Sequence, residues 1–366
     1  MVNIMKKEHT YILAAFVILV VAGIIIAGYI NTAKPTTTPS TLAPATATEQ
    51  LKPLKIGYLP TNGHALVFIA KEKGFFEKEG LNVELFQFQN SADGTNAIIA
   101  KKIDTGGFGP SPLVFISKGT PETIIGGLMG EGAGVITTAD KADQFKDIKN
   151  FKGKTVATVR LSSGDIHFRG ALQEAGFDLK KDITIQELAS PSAVLDAVKA
   201  GKVDAGVVWT PYMEMAESQG LKVVLFTSDI FPKHVCCRIA VLSEELAANR
   251  DSYVRMERAL LRAYKYQSAN PDDAVDAIAK YVKIDKSIIK TALTDGHSYI
   301  SPDPNTKGVV KTYDMLKQIG YINTTVNINE HIDSTVYKQA LDDLTKANPD
   351  DPFYQNLQGE YKTLNL

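Results

Sequence analysis

Four short segments of the 366-residue sequence place hydroxyl, amide or glycine residues where a strand-like run turns into a helix-like one. They are Thr61-Asn62-Gly63-His64, Gly109-Pro110-Ser111-Pro112, Ser162-Ser163-Gly164-Asp165 and Trp209-Thr210-Pro211-Tyr212. The chemistry this supports is capture. The first N–H groups of a helix lack internal partners and its dipole favours negative charge, so a small anion can be held there. Pro110 and Ser111 open one such helix, Ser111, Ser162 and Ser163 add hydroxyl donors, and Asn62 adds an amide. His64 or Arg160 would supply positive charge, and His64 also fits as an ordinary surface histidine. Ser163 and Asp165 equally fit as caps of the helix that follows, a role that does not exclude ligand contact. Trp209 and Tyr212 read either as core or as cleft walls, and His167 reads as structural. An Asp165 side chain turned inward would oppose an anion, or else suit a ligand that also carries an amine.

Catalytic patterns are missing. The run Gly126-Gly127-Leu128-Met129-Gly130-Glu131-Gly132 is neither a GxGxxG fingerprint nor a GxxxxGK[ST] loop, so it lacks the phosphate-cradling geometry. There is no GxSxG elbow and no HExxH pair, and the six histidines are scattered. No catalytic residue, metal site or cofactor is expected. The two cysteines are adjacent, Cys236 and Cys237, which excludes a multi-disulfide scaffold and a CxxC…CxxC zinc site. They read either as a vicinal disulfide bracing a turn or as two small apolar residues in a strand. Arg238, next in line, is a candidate to face the cleft.

These turns need elements to hold them. From Leu54 onward strand and helix alternate: Leu54–Leu59, a helix from Ala65, Val83–Phe88, a helix capped by Ser91 or Asp93, Thr105–Phe108, then Thr123–Leu128. The alternation restarts at Thr155–Val159 and runs through Ile166–Ala175, Ile183–Leu188, Ala193–Ala200, Val203–Trp209 and Val223–Phe226. Beyond Leu246 the pattern is mainly helical. Repeated β-α-β units predict an α/β fold with mostly parallel sheets covered on both faces, in two lobes around a cleft. The expected division is 54–136 with 233–366 as the first lobe and 137–232 as the second. Gly74, Gly80 and Gly201 are expected to end helices in left-handed conformation.

Residues 1–30 read as a signal anchor: Tyr11–Ile30 is almost unbroken apolar sequence behind Lys6 and Lys7. About 20 such residues span a hydrocarbon core, and the lysines stay inside, leaving the rest of the chain outside the cell. A cleaved signal peptide ending near Asn31-Thr32-Ala33 is the alternative. Residues 31–53, rich in Thr, Pro and Ala, form a solvated linker. One glycosylation-type sequon occurs at Asn323-Thr324-Thr325. A net charge of −1 without basic runs argues against nucleic acid as partner.

Four stretches in fixed order carry a family likeness: Ile56-Gly57-Tyr58 with Ala70–Leu81, Asp104–Gly109, Phe151–Ala157, and Ala200–Ala205 before Trp209-Thr210-Pro211-Tyr212. The block from Lys55 to about Gly220 resembles type II periplasmic solute-binding proteins of ABC transporters, within the nitrate/sulfonate/taurine-binding and thiamine-pyrimidine-like group. The resemblance implies a monomeric, extracytoplasmic binding component of an ABC importer. It would capture a sulfonate, taurine or nitrate-like solute by lobe closure and dock on permease and ATPase subunits. The alternatives are a thiamine-pyrimidine-precursor binder or synthesis enzyme of the same fold, or a sensor using it.

Overall fold

The computed structural model describes residues 51–366. The expected anchor and nearly all of the linker lie outside the described residues. Among the described residues, no helix is long and apolar enough to cross a membrane.

The first strands, β1 (Lys52–Tyr58) and β2 (Leu81–Gln87), flank helix α1 (Ala65–Glu72), whose whole inner run from Ala65 to Ala70 is buried. Next come β3 (Thr105–Gly107), α2 (Ser111–Ile116) and β4 (Glu122–Glu131). The helix between β2 and β3, Ser91–Ile99, is capped by the Asn90 side chain accepting from the Asp93 N–H, not by Ser91 or Asp93 as expected. The chain then crosses into a second sheet. Its elements are β5 (Ala133–Thr137), β6 (Thr155–Thr158), α3 (Ser163–Glu174), β7 (Thr184–Glu187), β8 (Ala205–Trp209), α4 (Tyr212–Ser218) and β9 (Lys222–Phe226). It returns through β10 (Val235–Leu242) and ends mainly helical. That part includes α5 (Ser243–Ala269), α6 (Lys286–Thr294), the short β11 (Ser298–Ile300), α7 (Thr306–Gln318) and α8 (Thr335–Ala347).

The first sheet has the order β11-β4-β10-β3-β1-β2 and the second β7-β6-β8-β5-β9. The expectation of mostly parallel sheets holds only for the outer β-α-β units. There β1 pairs in parallel with β2 and β3, and β6 with β7 and β8. The strands that carry the chain between sheets run the other way: β10 is antiparallel to β3 and β4, and β5 to β8 and β9. A strand entering from the opposite lobe arrives at the end where its neighbours finish, so it can only pair antiparallel. The outward crossing is Gly132, a few residues ahead of the boundary expected at 136. Gly74, Gly80 and Gly201 take left-handed φ of 66°, 75° and 65°, as their positions required.

Both sheets are covered on both faces. On one side of the first sheet, Leu54, Ile56, Phe68 and Ile69 pack with Leu260, Leu261 and Tyr337 from α5 and α8. Around the second, Val194, Val198 and Val208 fill one face and Phe145, Phe151, Phe168 and Val207 the other. Burying side chains of this size contributes about 1.5–3 kcal/mol each, enough to hold the loops at the strand ends in fixed places.

Candidate functional site

The turn after β1 is closed by Thr61, whose hydroxyl accepts from the Gly63 N–H at 3.2 Å. Asn62 is buried; its Nδ2 donates to the Ile289 carbonyl of α6 at 3.2 Å, while Oδ1 has no partner. His64 is fully buried near Phe68 and Phe108, with ring centroids 6.4 and 6.5 Å away. Burial pushes its pKa down to about 4, so the ring is neutral at physiological pH. His64 is therefore neither the surface residue nor the cation expected from the sequence.

At the second turn, Pro110 and Pro112 carry no N–H, and the Ser111 N–H is already given to the Phe108 carbonyl at 3.2 Å. What remains there is the buried Ser111 hydroxyl. At the third, Ser162 is the cap of α3: its hydroxyl accepts from the Asp165 N–H at 3.1 Å. The N–H groups of Ser163 and Gly164 are left as free donors of the first turn. Ser163 Oγ reaches the Val235 carbonyl on the returning crossing at 3.3 Å and lies 3.3 Å from His167 Nδ1.

Asp165 is engaged by protein donors on both carboxylate oxygens. One carboxylate oxygen accepts from Thr158 Oγ1 (2.8 Å) and Arg169 Nε (2.8 Å), the other from the Leu161 N–H (3.1 Å) and the Tyr321 hydroxyl (2.5 Å). At the fourth turn Thr210 is fully buried and its N–H donates to the Gly132 carbonyl at 2.9 Å. Trp209 and Tyr212 stay partly exposed and meet edge to face, 6.0 Å between centroids.

The turns converge on the two crossings. Gly132 takes φ +74°, and a Cβ there would lie 3.1 Å from Met129 Cε and 3.3 Å from Thr210 Cγ2. A side chain at Gly63 would come within 3.2 Å of Cys237 Sγ. The cysteine doublet sits on a bulge of β10, where the register against β4 slips between Val235 and Arg238. In a regular strand adjacent side chains point to opposite faces; the bulge turns both toward one side. Both are free thiols, with sulfurs 3.4 Å apart, between the Gly63 turn and the start of α3. The strand reading of this pair holds, and the disulfide is unmade. Oxidised glutathione is expected to remove both thiols from each chain without cross-linking chains, measured by thiol titration and non-reducing electrophoresis. Persistence of either thiol would contradict this geometry.

Arg238 also departs from expectation. It is 3% exposed, and its guanidinium is held by backbone carbonyls. Its Nη1 donates to the Asp303 and Pro304 carbonyls (2.8 and 3.0 Å) and its Nη2 to that of Met129 (2.7 Å). Arg160 is paired with Glu187 at 3.0 Å. None of the three expected cations, His64, Arg160 and Arg238, therefore offers a free charge.

Sequence reasoning did not find Glu214, one turn into α4. Its carboxyl receives the Thr210 hydroxyl at 3.2 Å, and burial, with Asp295 at the end of α6 adding to it, pushes its pKa up to about 7. Among the described residues, no group of three or more His, Cys, Asp or Glu could hold a metal ion.

Residues 47–283 carry the sequence profile of the NMT1-like family. The chain belongs to the NMT1-like family. Among relatives of this NMT1-like protein, a putative binding protein of Brucella abortus is 29% identical over 72% of this chain and 82% of its own length. A putative aliphatic sulfonates-binding protein of Bacillus subtilis is 28% identical over 81% of this chain and 90% of its own. In structure, the NMT1-like chain superimposes on the periplasmic aliphatic sulphonate binding protein SsuA of Escherichia coli. The TM-score is 0.68 at 20% identity, covering 77% of this chain and 92% of that one. This likeness confirms the two-sheet binding-protein fold expected from the sequence.

Proposed function

We propose that this protein binds a small anion of the sulfonate or nitrate class between its two sheets, on the outer face of the cell membrane, and delivers it to an ABC importer. The observation that carries this reading is the pair of unclaimed N–H groups, Ser163 and Gly164, at a helix start facing the crossings. A helix N-terminus is equivalent to roughly half a positive charge. That matches an anion whose single charge is spread over several oxygens. With His64 neutral and Arg160 and Arg238 already engaged, a multiply charged ligand would be poorly balanced.

Asp165, with every lone-pair direction in use, has nothing to offer an ammonium group. The cleft therefore favours a plain alkanesulfonate or nitrate over taurine. Ligand bridging both lobes stabilises the closed form by its differential affinity. Tyr11–Ile30 serves as the membrane anchor, and the permease and ATPase subunits are the partners. The expected role involves no turnover.

Replacing Ser163 with proline tests the reading directly. Proline is tolerated at the first helical position, and the preceding Ser162 already has the extended backbone that proline requires (φ −70°, ψ 155°). The helix should survive while one donor disappears. A hydrogen bond to a charged group contributes about 1.5–3 kcal/mol, so affinity should fall roughly 10- to 100-fold, and less in Ser163→Ala. The measurement is a thermal shift of the full chain in detergent with methanesulfonate, taurine and nitrate. At a hundredfold excess over Kd the wild type should gain about 2.7 kcal/mol. Equal shifts for wild type and Ser163→Pro, or chemical conversion of any of these compounds, would refute the proposal.

A further inference from the structure

Beside the returning crossing segment Phe231–His234 lies a cavity of about 200 Å³, with room for about six waters. Its floor is a pair of buried imidazoles. His167 on α3 and His234 on the crossing stack with centroids 3.7 Å apart and planes inclined by 29°. His167 Nδ1 is 2.7 Å from its own turn's Ser163 carbonyl and donates to it, which leaves Nε2 without a partner. The Thr227 hydroxyl gives its single proton to the Ala133 carbonyl at 2.9 Å, so His234 Nε2–H must donate to that hydroxyl oxygen, also at 2.9 Å. His234 Nδ1 is then a bare lone pair 3.4 Å from the Val235 carbonyl, a contact that improves only when the ring gains a proton.

Around this floor stand Lys233, Lys307 and Lys311, all exposed, and none forms an ion pair with a carboxylate among the described residues. The α7 helix starts here as well. No acidic residue lines the cavity. Charges facing the two imidazoles are positive: Lys311 beside both, and Arg238 beside His234. With burial they hold both rings well below the ordinary histidine value.

We propose that this cavity is a second binding site, distinct from the cleft, for a small oxyanion such as sulfate or phosphate. An anion here would satisfy the unpartnered His167 Nε2, balance Lys311 and let the imidazoles take up a proton. The cavity is formed by α3 from one lobe, the crossing segment Phe231–His234, and α7 from the C-terminal part. Occupancy therefore bears on how the two lobes sit together. It also reaches the cleft by a short path, because His167 contacts the oxygens of Ser163, the residue whose N–H opens toward the solute.

The test is calorimetric titration of the full chain in detergent with sodium sulfate and sodium phosphate at low ionic strength. His-labelled protein would be followed in parallel by NMR. Lys311→Gln and Lys311→Glu alter an exposed side chain and leave the core intact. We expect sulfate to bind the wild type and to shift the His167 and His234 resonances toward the protonated form. Affinity should fall at least tenfold in Lys311→Gln, fall further in Lys311→Glu, and persist in Trp209→Ala. Equal affinity in wild type and Lys311→Gln, no binding to the wild type, or loss in Trp209→Ala but not in Lys311→Gln would overturn the proposal. Failure of the cleft to bind sulfonates would leave these expectations unchanged.

Discussion

Replacing Asp165 with alanine is expected to lower the stability of the folded protein by about 3–5 kcal/mol, the range found when one member of a buried ion pair is removed. Asp165 is fully buried, and the Arg169 side chain beside it is 12% exposed. Arg169 also reaches Glu187 at 3.0 Å, which in turn holds Arg160. Both guanidinium groups lie against the Tyr321 ring, 4.6 and 5.2 Å from its centroid. The carboxylate thus joins the end of β6, the start of α3 and the segment following α7. Alanine would take from the largely buried Arg169 one of its two carboxylate partners and leave a threonine hydroxyl, a backbone N–H and a tyrosine hydroxyl unpaired at once. Tyr321→Phe removes one of these bonds and should cost about 1 kcal/mol. Urea unfolding of the two variants measures the difference. A loss below 1 kcal/mol for Asp165→Ala, together with weakened solute binding, would return this residue to the ligand site.

Stability should also fall as pH rises from about 6.5 toward 8; below that the buried neutral imidazoles of His64, His167 and His234, whose pKa values are lowered, act in the opposite sense. Glu122 on β4 and Glu257 on α5 are fully buried, and neither side chain has a hydrogen-bond partner. Burial pushes Glu122 from an ordinary 4.5 up to about 8, and it pushes Glu257 well above its ordinary value. Asp303 faces Glu257 and adds to its shift, while Arg238 opposes it. Both acids are protonated when folded and ionise when unfolded. Their contribution is complete below the unfolded value and is lost as pH climbs through the folded one. In that window each costs about 1.4 kcal/mol per pH unit. Glu214 behaves alike up to about 7. Melting temperatures from pH 6.5 to 8 test this: the wild type should decline, and Glu122→Gln with Glu257→Gln should flatten the curve. A wild type that gains stability toward pH 8 would contradict it.

The candidate site was legible as a set of turns but not as a set of contacts. Asn62, Ser111, Ser162, Ser163, Trp209 and Tyr212 all lie on the strand-to-helix turns where spacing put them. Their local conformations follow from neighbours one to four residues away, as with Ser162 capping Asp165. The charges were misjudged for one shared reason. His64, Asp165 and Arg238 each meet partners or walls from distant parts of the chain: Phe108 for His64, Tyr321 for Asp165, and Asp303 and Pro304 for Arg238. No local pattern records those meetings. Cys236 and Cys237 were conspicuous as a doublet, but only the bulge against β4 aims both sulfurs toward the turns.

By itself, then, the sequence determined what short-range physics can determine. It set the alternation of strands and helices, the glycines that end them, the four turns, and the order of motifs that marks the family. Tertiary structure alone decided that the crossing strands run antiparallel, that the cations are spent elsewhere, and that two histidines far apart in the chain stack under a rim of lysines. Partners of this kind are fixed by tertiary packing, which brings together residues far apart in the chain.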